Sequence, residues 1–364
     1  MKVCLLLVAA AIVASSQPVL DLLLIGGHVL DPANGRNGTF DIGILEGRIR
    51  TVAAHIPAAY ARQVVDVSGY YVTPGLVDIH AHLEPGGLAA DHKSLRNGVT
   101  TVVDAGSATT ENITDYRKWV VQRSDTRVLA FVRPGASARG GLQQNQDIIV
   151  GFVADSDKTL PAALKAATET KLPVMLDTDG RAQSDSVFRE LRAGDIYTNI
   201  YSQALPPPSV RASGVLFDGS HGGAGFWFRI AAESLKGGFL PYTISTGLDR
   251  TSVLLPRAGL TNVMSKFLAL GVPLDKVVER VTVNPARAIH RPELGTIREG
   301  TDADLAVLEL EKGTFAFLDS GHGRLTSDRN LHCILTIRRG EVVWDTHGLS
   351  TEDWKQAGPY SNFK

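Results

Sequence analysis

The stretch Val72-Thr73-Pro74-Gly75-Leu76-Val77-Asp78-Ile79-His80-Ala81-His82 decides the reading of this chain. It is an apolar run that ends on two histidines two residues apart. On a β-strand, residues i and i+2 point to the same face. Two imidazoles side by side on one face can grip one metal ion. His80 and His82 are therefore the first candidate ligands, and residues 76–82 are expected to form a strand.

Beyond this stretch, strands and helices alternate. Strands are expected at residues 76–82, 99–104, 127–132, 148–154, 174–177, 196–201, 215–217 and 242–246, and helices at 115–123, 160–170, 186–192 and 226–235. Such alternation implies a parallel sheet. Eight strands of it make the fold class α/β, a (β/α)8 TIM-type barrel. Two crossovers look thin. Residues 133–147 carry Pro134-Gly135 and Gly140-Gly141, and residues 202–214 carry Pro206-Pro207-Pro208. A parallel crossover needs about 12 residues or more, usually with a helix, so these two are long enough to cross but poorly suited to a full helix. Further helices are expected at residues 260–270, 274–281 and 285–290.

The two ends of the chain read differently. Residues 21–73 are short strands with turn punctuation at Gly26-Gly27 and at the hairpin signal Glu46-Gly47. Residues 303–310, 314–318, 332–337 and 341–344 return to strands. Pairing of the two ends predicts a small composite β-domain, residues 17–72 and 291–364, beside a barrel of residues 73–290.

The 364 residues, 44% hydrophobic and 21% charged, supply ample material for a core. A net charge of −1 gives no electrostatic reason to expect nucleic acid or an anionic membrane as partner. Residues 1–16 have the pattern of a signal peptide: Lys2, an apolar stretch over residues 3–13 too short to span a bilayer, then Ala14-Ser15-Ser16. A secreted or periplasmic protein is expected, with no integral membrane segment after signal removal. Only Cys4 and Cys333 are present, and Cys4 leaves with the signal. The mature chain then has neither an internal disulfide nor a multi-cysteine metal site. Asn37-Gly38-Thr39 and Asn112-Ile113-Thr114 match the glycosylation triplet, which also occurs by chance.

Several motifs occur in a fixed order: Asp21-Leu22-Leu23-Leu24-Ile25-Gly26-Gly27-His28-Val29-Leu30-Asp31, the Thr73–His82 stretch, Asn97-Gly98-Val99-Thr100-Thr101-Val102-Val103-Asp104-Ala105-Gly106, and Gly295-Thr296-Ile297-Arg298-Glu299-Gly300-Thr301-Asp302-Ala303-Asp304-Leu305. In this order they resemble the amidohydrolase superfamily over essentially the whole mature length. Gly194-Asp195-Ile196-Tyr197-Thr198 and Gly214-Val215-Leu216-Phe217-Asp218-Gly219-Ser220-His221-Gly222-Gly223 resemble its dihydroorotase-like, deacetylase-like metallohydrolase group in particular.

The resemblance implies hydrolysis of a C–N bond at the open end of the barrel. In that family, metal ions polarise the carbonyl and activate a water. The usual ligands are the strand-1 histidine pair, a carbamylated lysine on strand 4, histidines on strands 5 and 6, and a strand-8 aspartate that also serves as base. His80 and His82 match the strand-1 pair. Val153 stands where the lysine belongs, with Lys158 the nearest lysine. Asp177 stands at the strand-5 position and can ligate through oxygen. Asn199 takes the strand-6 position, where hydrogen bonding to a neighbour suits an amide better than holding zinc. Gly247 stands at the strand-8 position, and Asp249, two residues on, is the substitute candidate for the catalytic base. Asp218 and His221 follow strand 7, where His221 resembles the group's substrate-side histidine.

Two functions follow. One is an exported hydrolase of amide or cyclic amide bonds, using zinc or another divalent metal, at most one ion, on His80, His82 and Asp177, with a small-molecule substrate. The other is a catalytically inactive amidohydrolase-like binding or interaction protein, which the residues Val153, Asn199 and Gly247 favour.

Overall fold

A computed structural model describes residues 20–84, 90–135, 140–181, 185–202, 205–250, 252 and 259–359. The leader read at residues 1–16, with Cys4, lies outside the described residues.

The first sheet joins both ends of the chain. Its strands are β1 (Leu20–Asp31), β2 (Arg36–Leu45), β3 (Arg48–Ala53), β4 (Ala61–Asp66) and β5 (Tyr71–Pro74). Between β5 and the last three strands lies the barrel: β6 (Leu76–Ala81), β7 (Val99–Thr109), β8 (Arg127–Arg133), β9 (Ile149–Ala154), β10 (Val174–Leu176), β11 (Ile196–Tyr197), β12 (Leu216–Gly219) and β13 (Thr243–Ile244). The first sheet is then completed by β14 (Leu305–Leu318), β15 (Arg324–Arg338) and β16 (Glu341–Asp345).

The order in the first sheet is β16-β15-β14-β5-β1-β2-β3, with β4 also on β1. β4 pairs with Leu20–Ile25 of β1 and β5 with His28 and Val29, so the two share β1 in succession. The break between them is at Gly26, whose φ of +73° suits glycine and whose N–H donates to the Asp41 carboxylate. β5 pairs antiparallel with β14, which joins the N-terminal and C-terminal strands. Leu22, Leu24, Ile42, Ile44, Val65, Leu305, Val307, Leu335 and Ile337 make its buried core.

The barrel strands run parallel in sequence order from β6 to β13. The seam between β13 and β6 closes beyond the short last strand: Gly247 N–H donates to His80 O at 2.8 Å, and His82 N–H donates to Leu248 O at 2.7 Å. Asp78 reinforces that seam by accepting from Thr246 N (3.0 Å) and Thr246 Oγ1 (2.6 Å).

Two expected strands are shorter than their apolar runs suggested. β11 covers only Ile196 and Tyr197, and β13 only Thr243 and Ile244. Asn199 at φ +60° and Gly247 at φ +57° turn the backbone out of extended geometry. The thin crossovers hold only short helices among the described residues, Gly140–Gln144 and Pro208–Arg211. The clean amphipathic segments came out as read, at Leu160–Thr170 and Leu274–Val281. No described helix is long and apolar enough to cross a membrane.

Candidate metal and active site

Strand periodicity puts Asp78, His80 and His82 on one face as β6 ends. β10 delivers Asp177 one residue past Leu176. His80 Nε2 lies 3.3 Å from His82 Nε2 and 3.1 Å from Asp177 Oδ2; His82 Nε2 lies 3.6 Å from the same oxygen. Metal–ligand bonds of about 2.0–2.2 Å at the tetrahedral angle separate neighbouring donor atoms by about 3.3–3.6 Å. The three atoms therefore stand close to three corners of a tetrahedron. Among the described residues this is the one group of three or more potential His, Cys or carboxylate ligands that converges in this way.

The surroundings fix each member. Asp78 accepts the backbone N–H of His80 (3.3 Å), and Asp104 accepts the N–H groups of Leu83 and Ala108 (both 2.8 Å), pinning the turn that leaves His82. His80 Nδ1 meets Thr198 Oγ1 at 2.9 Å, and that hydroxyl donates to Asp218 Oδ2 at 2.7 Å. Asn199 Nδ2 and Asp179 N donate to Asp177 Oδ1. Oδ2 is left facing the imidazoles.

The electrostatics favour a cation here. Burial opposes charge on His80, yet the Asp177 carboxylate, helped by Asp218 and Asp78, pushes its imidazolium up to about 9. Burial also opposes ionisation of Asp177, but His80 and His82 hold it well below the usual carboxylate range. Burial and the charge on His80 together push His82 down. Burial raises Asp78 to about 6, against hydrogen bonds from Thr246. The His82 side chain is 31% exposed whereas that of His80 is 2%, so solvent reaches the group from the His82 side.

These residues fit one divalent ion. The donor set of two imidazoles and a carboxylate suits zinc, which keeps an open position in catalytic sites with three protein ligands. Thr198 favours the His80 tautomer with Nε2 bare, as a ligand requires.

No protein-family model matches the chain. A deacetylase of Agrobacterium fabrum is 28% identical over 322 residues, which cover 76% of this chain and 79% of that protein. The crystal structure of a dihydroorotase superposes with a TM-score of 0.79 at 25% identity, covering 89% of this chain and 99% of that one. In fold, an adenine deaminase structure is as near, with a TM-score of 0.80 at 24% identity over 90% and 100% of the two chains. The chain resembles these amidohydrolase-superfamily proteins in sequence and shares their fold.

The remaining site positions carry no further ligand cluster among the described residues. Val153 is buried in an apolar cluster with Val103, Phe131 and Met175. Lys158 is exposed beyond the end of β9. A Cβ at Gly247 would lie 2.5 Å from Ser220 Oγ and 2.8 Å from Gly222 N, so the loop after β12 fills the space a side chain there would need.

Asp249 does not continue the last strand, because β13 ends at Ile244. It sits in a turn, where its Oδ1 accepts the Ser252 N–H at 2.6 Å. Its charge still reaches His82 and favours the imidazolium there.

His221 is fully buried. Its Nδ1 donates to Gly222 O at 2.9 Å, and its Nε2 accepts from Lys266 Nζ at 2.7 Å. Its ring stacks on Phe226, with centroids 5.6 Å apart. These contacts tie it to the protein's own framework.

Sequence reasoning missed Thr198 and Lys266. Thr198 closes the Gly194–Thr198 motif but was given no role in the site, and Lys266 is a lysine buried on the helix Leu260–Ala269. No linear signal pointed to Lys266.

Proposed function

We propose that this amidohydrolase-family hydrolase uses one divalent metal ion to open an amide or cyclic amide C–N bond in a small molecule. The observation that carries the reading is the near-tetrahedral spacing of His80 Nε2, His82 Nε2 and Asp177 Oδ2. His80, His82 and Asp177 hold the ion. A zinc-type ion held there would supply a Lewis acid. Asp249, whose carboxylate acts on His82 from the turn after β13, is the candidate base. The substrate class rests on the deacetylase and dihydroorotase names of the similar proteins. Export, to the periplasm or outside the cell, rests on Lys2, the apolar residues 3–13 and Ala14-Ser15-Ser16.

A second reading keeps the barrel as a binding or interaction protein without turnover. The closed position at Gly247 favours it, since loss of a general base costs about 10²–10⁴ in rate. Assays on N-acyl and cyclic-amide compounds with added zinc separate the two. Zinc-dependent turnover that disappears in His82→Ala and drops in Asp249→Asn supports the enzyme. Zinc-loaded protein without turnover on either class supports the binding reading.

A further inference from the structure

We infer that Thr198 is a positioning residue, a hydroxyl relay that lets the buried Asp218 carboxylate dictate which nitrogen of His80 is free for a metal. The inference rests on the proposed metal site and concerns how that site is held.

Asp218 is fully buried at the end of β12. Three hydroxyls converge on it: Thr198 Oγ1 and Ser245 Oγ donate to Oδ2 at 2.7 and 2.6 Å, and Thr243 Oγ1 donates to Oδ1 at 2.7 Å. An ionised carboxylate only accepts, so it uses all three donors. A hydroxyl has one proton. Thr198 gives its proton to Asp218 and turns a lone pair toward His80 Nδ1, 2.9 Å away. That nitrogen must then be the N–H, and Nε2 is the nitrogen turned toward His82 and Asp177.

The direct path is too long for a hydrogen bond: His80 Nδ1 and Asp218 Oδ2 are 3.9 Å apart. The threonine hydroxyl spans that gap. Partners behind a metal-bound imidazole orient the ring and fix its tautomer. Here the carboxylate reaches the imidazole through a neutral hydroxyl. The Nδ1 proton therefore stays on the ring, and Asp218 stays an acceptor.

The test combines zinc affinity with the proton position. Zinc binding, measured by competition with a chromophoric chelator, is expected to weaken about 10–100-fold in Thr198→Val. Thr198→Ser, which keeps the hydroxyl, is expected to bind close to wild type. Thr243→Val also removes a donor to Asp218 but does not touch His80, and it too is expected to bind close to wild type. Wild-type affinity in Thr198→Val, or an equal loss in Thr243→Val, overturns the relay.

Nitrogen-15 histidine NMR of the metal-free chain, recorded at a pH where the His80 ring is neutral and assigned with His80→Gln, reads the tautomer directly. A one-bond proton on His80 Nδ1 is expected. A His80 protonated on Nε2 alone overturns the inference whether or not zinc binds. A wild-type chain that binds no zinc but keeps the Nδ1 proton sinks the metal reading and leaves the relay standing.

Discussion

Asn199 Nδ2 donates to Asp177 Oδ1 over 2.8 Å, and this bond leaves the other oxygen, Oδ2, to the two imidazoles. The amide at the strand-6 position thus orients a candidate ligand. Asn199 does so from a left-handed backbone at φ +60°, which asparagine tolerates better than most residues.

Replacing Asn199 by leucine removes the donor and puts a bulky side chain at positive φ. The Asp177 carboxylate is then free to rotate away from the imidazoles. Zinc affinity is expected to fall about tenfold or more, the usual cost of losing a partner behind a ligand. Competitive chelator titration reads the change, and an unaltered affinity would show that Asp177 needs no such support.

His221→Ala should destabilise the fold. It removes the ring stacked on Phe226 and the acceptor for the buried Lys266 Nζ. The unfolding free energy is expected to drop by about 2–4 kcal/mol, since a buried donor loses a partner and a ring contact is lost. Urea denaturation measures this. An unchanged midpoint with impaired turnover would instead mark His221 as a residue that handles substrate.

Cys333 is buried, and burial pushes its thiol up to about 12, against hydrogen bonding with Thr336. The native chain at pH 8 should not react with an aromatic disulfide reagent, whereas the unfolded chain should react fully. In the unfolded state the thiol ionises near its ordinary value of 9.0, so between about 9 and about 12 the folded state binds more protons. Its contribution to stability is present below that window and is lost as pH rises through it. The stability advantage of wild type over Cys333→Ala should therefore shrink from pH 9 upward, read by chemical denaturation at each pH. A constant difference across that window would show that the thiol ionises alike in both states.

Much of the fold was legible because its signals are local. Leu160–Thr170 and Leu274–Val281 carry apolar residues at helical spacing and stop cleanly. The alternation of elements after Leu76 gave the barrel. The ribbon of β14 and β15 was read short, because residues 311–316 and 324–330 are mostly exposed and lack a buried face to impose alternation. In the site, His80 and His82 were visible from their spacing on one strand, and Asp177 only through the strand-5 ligand position that the resemblance implies. The link from His80 through Thr198 to Asp218 was not visible. It runs sideways across three different barrel strands or their ends, and lateral neighbours leave no spacing in the sequence. Asp249 was a substitute base only on the condition that the strand ran on past residue 246, and β13 ends at Ile244 with Asp249 in a turn.

The central claim is that His80, His82 and Asp177 hold a single metal ion, and elemental analysis of the purified chain after zinc loading and desalting tests it most directly. The account predicts one zinc per chain in the wild type and near-background zinc in His80→Ala. A wild-type chain whose zinc content is no higher than that of His80→Ala would contradict it.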